Sequence, residues 1–257
     1  MNTSTHKPLI GIVGGMGPAA GVDLANKIIL STRATGDHDH IAQVLYTDAA
    51  SIGDRTAFLL GESSVNPGHA IARILLKLNA LGASVAGIPC NTAHAPEIFR
   101  CVTDDLRKNN ARLRLLNMID AVGLFLEESF PEVKQIGILG TTGVFLARPY
   151  DRLVQHGIQC LYLPDEEQRQ LHLAIYHASW GIKATSRLST RGLQIVRDLI
   201  RYFANHGANA VVLACTELAL VDNGLLQAEI PVVNSTLALA RELVRAAAPE
   251  KLRPFTG

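Results

Sequence analysis

Cys90 and Cys215 are the residues whose type and setting most clearly point to chemistry. Each follows an apolar, β-rich run and is followed by polar side chains: Pro89-Cys90-Asn91-Thr92-Ala93-His94 in one case, Ala214-Cys215-Thr216-Glu217 in the other. One free cysteine is most simply a small buried hydrophobe. Two of them at the ends of strands, each expected at a helix start where the dipole favours a thiolate, point to reactive thiols instead. The thiol pKa of about 8.5 lies close enough to neutrality for local fields to select either protonation state. A pair of such groups on opposite faces of one carbon can take a proton from one side and return one from the other.

The elements that would position these thiols repeat. Ile10–Ile28 (IGIVGGMGPAAGVDLANKI) aligns with Ile136–Leu153 (IGILGTTGVFLARPYDRL) at an offset of 126 residues. Leu81–Ala95 aligns with His206–Leu220 at an offset of 125, which makes Cys90 and Cys215 equivalent. Both halves end on a strand, an asparagine (Asn117, Asn234) and an apolar helix. Near-constant spacing over separated blocks is the mark of a duplicated unit.

The apolar runs Leu9–Val13, Ala42–Thr47, Val85–Ile88, Leu113–Met118, Gln135–Leu139, Gln159–Leu163, Ala210–Leu213 and Pro231–Val233 read as strands. Segments of helical period such as His69–Leu81 and Leu193–His206 lie between them. This alternation predicts an α/β fold of two similar lobes about a pseudo-two-fold axis, each a mostly parallel sheet flanked by helices. The expected division is 1–119 plus 235–257 for the first lobe and 120–234 for the second. The last helix, Leu237–Ala248, would pack on the first lobe. Ligands of open parallel sheets bind beyond the carboxyl ends of the strands, so facing lobes would bring both cysteines to one cleft.

Composition narrows the function classes. The 257 residues are 48% hydrophobic and 18% charged, with a net charge of +1. That fits a globular core and gives no electrostatic footprint for nucleic acid or an anionic membrane. Met1–Pro8 is short and polar, and Leu9–Val13 runs directly into glycines; neither reads as a leader or a membrane span, so a cytoplasmic location is expected. Four cysteines with no CxxC and no Cys/His zinc spacing argue against a disulfide framework and a metal site. Cys101 and Cys160 are read as packing residues.

Other features carry less. The turn Gly14-Gly15-Met16-Gly17-Pro18 offers backbone N–H groups to an anion but lacks dinucleotide or P-loop spacing, and on its own it reads more simply as a tight strand–helix turn. His94 could orient a substrate or be a satisfied structural histidine. Asp48 is read as a helix cap. Asp37-His38-Asp39-His40 is read as a surface loop rather than a metal cluster, and Asp165-Glu166-Glu167 as a solvated helix start.

In order and spacing, GGMGP, PCNTAH and ACTEL resemble the aspartate/glutamate racemase family, and Asp54-Arg55-Thr56 and Ile175–Lys183 (IYHASWGIK) match further family blocks. The resemblance covers nearly the whole chain. It implies a two-lobed, commonly homodimeric enzyme that racemises an amino acid without pyridoxal phosphate or any other cofactor. Cys90 would handle the proton on the D face and Cys215 that on the L face. Asn91, Thr92 and Thr216 would bind the α-carboxylate and α-amino end, and Arg55 and Lys183 the distal carboxylate. The turn residues Met16 and Gly17, Thr141 in the matching turn of the second repeat, and Glu217 complete the expected substrate site. Glu217 matches the aspartate-racemase branch. One departure is Gly21, where the family often has threonine, a change expected to bear on substrate choice. Hydantoin racemases, maleate isomerases and arylmalonate decarboxylases of the same fold are the alternative reactions. A non-enzymatic two-lobed binding module and a thiol redox protein are alternatives of other classes, and the paired cysteines disfavour the first.

Overall fold

A computed structural model of the chain describes residues 8–221 and 223–255. The polar start read as no leader, and the last two residues of the expected first lobe, lie outside the described residues.

Among the described residues, eight strands form two separate four-stranded sheets. The first holds β1 (Leu9–Gly14), β2 (Ala42–Thr47), β3 (Val85–Gly87) and β4 (Arg114–Leu115), in the order β2-β1-β3-β4. The second holds β5 (Gln135–Gly140), β6 (Gln159–Leu161), β7 (Ala210–Ala214) and β8 (Val232–Asn234), in the order β6-β5-β7-β8. Within the two sheets every pairing is parallel. The two orders are identical, as the repeat requires. All eight predicted strands are present, and Leu113–Met118 shrinks most because Asn117 already caps the next helix.

Each sheet is covered on both faces, which explains its continuous apolar strands. In β1, Ile10 and Ile12 face Leu24 and Ile28 of the helix Pro18–Ser31 and Leu239 and Leu243 of the helix Ser235–Ala247. Val13 points the other way, onto Ile71 and Leu75 of the helix Gly68–Ala80. In the second sheet Ile136 and Ile138 face Val122 and Leu126, while Leu139, Val211 and Leu213 face Leu171, Val196 and Phe203. Fully burying one such side chain stabilises the fold by roughly 1.5–3 kcal/mol.

The two strand–asparagine–helix junctions share one cause. Asn117 Oδ1 accepts from the Ile119 N–H at 2.8 Å, and Asn234 Oδ1 from the Leu237 N–H at 3.0 Å. Each asparagine thereby satisfies an orphan donor at a helix start. The final helix lies against the helices Pro18–Ser31 and Met118–Ser129. Among the described residues no helix is long and apolar enough to cross a membrane.

Candidate active site

In each sheet the chain turns in opposite directions from the two central strands, so a crevice opens between the carboxyl ends of β1 and β3, and of β5 and β7. Such switch points are where open α/β sheets bind ligands. The glycine turn follows β1 and Cys90 follows β3; Thr141 follows β5 and Cys215 follows β7. The repeat has placed a loop and a thiol at both crevices.

The two crevices face each other, and two reciprocal contacts mark the fit. A Cβ on Gly17 would lie 3.2 Å from Glu217 Oε1, so the first glycine turn meets the second cysteine loop. A Cβ on Gly143, the repeat partner of Gly17, would lie 2.7 Å from Thr92 Cγ2, so the second turn meets the first cysteine loop. Thr92 Oγ1 and Thr141 Oγ1 are hydrogen-bonded across this junction at 2.9 Å. Both cysteines are buried, at 5% and 3% exposure, which excludes bulk water from the thiols.

The source of positive charge differs from the expectation. Neither cysteine begins a long helix: Asn91–His94 and Leu218–Leu220 are short 3-10 turns. After Cys90, Pro96 forces Ala95 out of helical geometry (ψ 135°) and starts a new helix, Pro96–Lys108. The macrodipole is therefore weak at both thiols, and side chains supply the field. Arg55 stands by Cys90 at the start of the helix Arg55–Leu59, whose Asp54 cap accepts from the Ala57 N–H at 2.9 Å. Its Nη1 donates to the Gly53 carbonyl at 3.1 Å, and its Nε is buried with no hydrogen-bond partner among the described residues. Burial opposes the Arg55 charge, but the Cys90 sulfur and Asp54 outweigh it and hold its pKa above the ordinary value.

Lys183 plays the matching part at Cys215, in the short helix Ile182–Thr185. Its ammonium is paired with Glu217 Oε1. The other oxygen of Glu217 accepts from the Cys215 thiol at 3.2 Å and from the Thr216 hydroxyl at 3.4 Å. Burial, then the Glu217 carboxylate, pushes the Cys215 thiol well above its usual range, with Lys183 opposing. Burial alone would raise Glu217, but Lys183 outweighs it and keeps the carboxylate ionised. Cys215 is thus a protonated donor held by an anion. Gly17, Lys183, Ser186, Glu217 and Leu220 border a cavity of about 420 Å³ beside this group.

Tyr176 was not singled out in the sequence and joins the two halves. Its hydroxyl is 3.3 Å from Thr56 Oγ1, its ring lies 5.6 Å from the Lys183 ammonium, and it feels both the Arg55 and Cys215 charges. Burial pushes its phenol up to about 12, so it stays neutral. Its only sequence signal was its place in the IYHASWGIK block.

Other expected residues are placed differently. The Asn91 amide is committed at both ends: it accepts from the Tyr150 hydroxyl at 2.7 Å and donates to Ser235 Oγ at 3.3 Å. Met16 packs in the first-lobe core at 2% exposure, leaving only its backbone for the turn. Gly21 faces the sheet, because a Cβ there would meet Leu45 Cδ1 at 2.8 Å and the Gly14 Cα at 3.2 Å; a hydroxyl at this position is a packing matter. His94 is fully structural. Its Nδ1 bonds the Cys90 carbonyl at 2.9 Å and its Nε2 accepts from the Met118 N–H at 3.1 Å, which fixes the neutral tautomer and the Cys90 backbone together. Asp48 caps a turn, accepting from the Ser51 N–H at 3.3 Å. Asp39 pairs with Lys251 rather than with a neighbouring histidine. Cys160 packs against the second core with its thiol on the Tyr150 carbonyl at 3.2 Å. Cys101 departs from its expected packing role: it is half-exposed, with its sulfur 3.4 Å from His69 Nδ1.

Comparison with known proteins agrees with this architecture. The family model for Asp/Glu/hydantoin racemase matches residues 13–243. Picrophilus torridus aspartate racemase is 28% identical, with a TM-score of 0.77 and 96% of each chain covered. The broad specificity amino-acid racemase RacX of Bacillus subtilis (strain 168) is 25% identical over 245 residues, 92% of this chain and 96% of that one. Glutamate racemase from Francisella tularensis, solved in complex with D-glutamate, is 13% identical with a TM-score of 0.64, over 98% of this chain and 84% of that one, and shares the fold. The chain belongs to the Asp/Glu/hydantoin racemase family.

Proposed function

We propose that the protein racemises an amino acid, with aspartate or glutamate as the first candidates, by a two-base mechanism without pyridoxal phosphate. The observation that carries this reading is the reciprocal fit of the two cysteine loops, each thiol with its own cation: Arg55 at Cys90, Lys183 at Cys215.

In the resting arrangement Cys215 is the acid, its proton held toward Glu217. Cys90, beside the Arg55 guanidinium, is the base. The Cys90 thiolate removes the α-proton of the bound substrate, and the Cys215 thiol delivers its own proton to the opposite face. The enantiomer forms and the two thiols have exchanged protonation states. Catalysis of the reverse reaction begins from that exchanged state. With no electron sink, the developing negative charge must be met by fixed donors in a water-poor site. The backbone N–H groups at Thr92 and Thr216 are suited to it. Asn91, bonded to Tyr150 and Ser235, positions the first loop and keeps one amide N–H for the substrate. The unpartnered Arg55 Nε is a donor for the distal carboxylate, and this favours an acidic side chain; Lys183 already shares its charge with Glu217.

The test is incubation of the reduced, purified protein with L-aspartate, L-glutamate and neutral amino acids, without added pyridoxal phosphate. Racemisation of at least one acidic amino acid supports the reading. No turnover of any amino acid, with both thiols titratable, overturns it and moves attention to hydantoins, maleate and malonates.

A further inference from the structure

Outside the cleft, a second group of ligating side chains converges where the helix Gly68–Ala80 packs on the helix Pro96–Lys108. His69 comes from the first turn of one helix, and Cys101 and Asp105 from the same face of the other, four residues apart. One ligand atom from each lies within 4.8 Å of the other two. His69 Nδ1 is 3.4 Å from Cys101 Sγ and 2.6 Å from Asp105 Oδ2. Both contacts use the same ring nitrogen, so this is not a relay in which a carboxylate orients a base toward a thiol through opposite nitrogens. It is convergence on one point.

The approach is built into the backbone. A Cβ on Gly68 would fall 2.8 Å from the Ile98 carbonyl oxygen and 2.9 Å from Cys101 Sγ, so glycine lets His69 reach the sulfur. Asn66 holds the junction from both sides, accepting from the Gly68 N–H at 2.8 Å and donating to the Glu97 carbonyl at 3.5 Å.

We infer that His69, Cys101 and Asp105 form a three-ligand site for a thiophilic divalent cation, zinc foremost, independent of racemisation. Thiolate, imidazole and carboxylate together suit zinc, whereas magnesium and calcium take oxygen ligands. Tetrahedral bonds of about 2.0–2.3 Å put ligand atoms roughly 3.4–3.6 Å apart, the spacing the sulfur and nitrogen already have. The shorter nitrogen–oxygen contact holds a proton where the cation would sit. On loading, the Cys101 thiol proton is released to solvent, and the Nδ1 proton leaves the Asp105 contact for solvent while the ring takes a proton at its exposed Nε2, so His69 stays neutral. Sulfur, nitrogen and oxygen lone pairs then bind the cation, and the two anionic ligands neutralise its charge. The side chain of His69 is 53% exposed, which leaves the fourth position open to water. Lys108, 3.8 Å from Asp105 on the rim, is 74% exposed and free to swing away.

The full-length, reduced, chelator-stripped protein is titrated with cobalt(II) and then zinc(II). One equivalent of cobalt is expected to give a sulfur-to-metal charge-transfer band in the near ultraviolet, which zinc abolishes. Cys101→Ser should remove the band, and His69→Ala, at an exposed position, should weaken binding by more than about tenfold. Cys90→Ser and Cys215→Ser should keep the band. Absence of the band at stoichiometric cobalt overturns the inference. So does a band that survives Cys101→Ser and is lost with Cys90→Ser or Cys215→Ser.

Discussion

The two halves of the active site share a fold and differ in charge. At Cys90 the loop residues are neutral and hydrogen-bonded: Asn91 to Tyr150 and Ser235, Thr92 to Thr141, His94 to the Cys90 carbonyl. At Cys215 the equivalents are Thr216, Glu217 and Ala219, and the loop is ionic, with Glu217 between Lys183 and the thiol. Duplication placed the two sulfurs; the residues after each one set what it does. A pair of identical environments would leave both thiols in the same protonation state. In the two-base mechanism proposed above, the Glu217 anion on one side holds the proton on Cys215.

Substitutions on each half separate the roles of the two loops. The largest effect is expected at the thiols: Cys90→Ser or Cys215→Ser should each lower racemisation by about 10²–10⁴, the usual scale of a positioned acid or base. Comparable losses confirm that both halves act; a silent variant on either side removes that half from the mechanism. Next comes His94, found on one half only. Burial holds its pKa at about 4, against 6.5 when free. Its folded value is depressed, so the neutral ring contributes stability above pH 6.5 that is lost as pH falls from 6.5 toward 4. The loss amounts to about 3 kcal/mol, read from urea unfolding across that window. His94→Gln should flatten the profile by that amount, and an unchanged slope means the ring is not buried neutral.

Arg55→Ala should raise KM for acidic amino acids by about 10–100-fold, the worth of a charged hydrogen bond, and leave neutral ones nearly unchanged. A uniform effect would make Arg55 a support for Cys90 alone. Glu217→Gln removes the anion that disfavours the Cys215 thiolate. The limb of the kcat–pH profile that reports this thiol should move down by on the order of one pH unit. The smallest effect is expected at the junction: Thr92→Val breaks the bond to Thr141 and should cost about 1 kcal/mol of unfolding free energy. A fall in kcat/KM far beyond that loss would place Thr92 on the substrate.

Strand positions and the duplication were readable because apolar runs and their spacing survive in one dimension: all eight strands and the equivalence of Cys90 and Cys215 follow from them. What the sequence concealed depends on contacts between the halves. The Asn91 amide reads as wholly free for a substrate until Tyr150 and Ser235, 59 and 144 residues away, are seen to take its oxygen and one of its two N–H groups. No long helix follows Cys90 because Pro96 ends the turn early, a local signal that the sequence carries. Gly21 reads as a lost hydroxyl until its neighbours prove to be Leu45 and Gly14. The His69–Cys101–Asp105 cluster lies across 36 residues and two helices, so no fixed spacing announces it.

The central claim is that the two sulfurs serve opposite faces of one carbon. Solvent deuterium exchange by the single-cysteine variants tests it most directly. In D₂O, with separate L and D substrate, Cys90→Ser should retain α-proton exchange from the L enantiomer only and Cys215→Ser from the D enantiomer only. Exchange from the same enantiomer in both variants, or undiminished racemisation in either, would contradict the two-faced assignment.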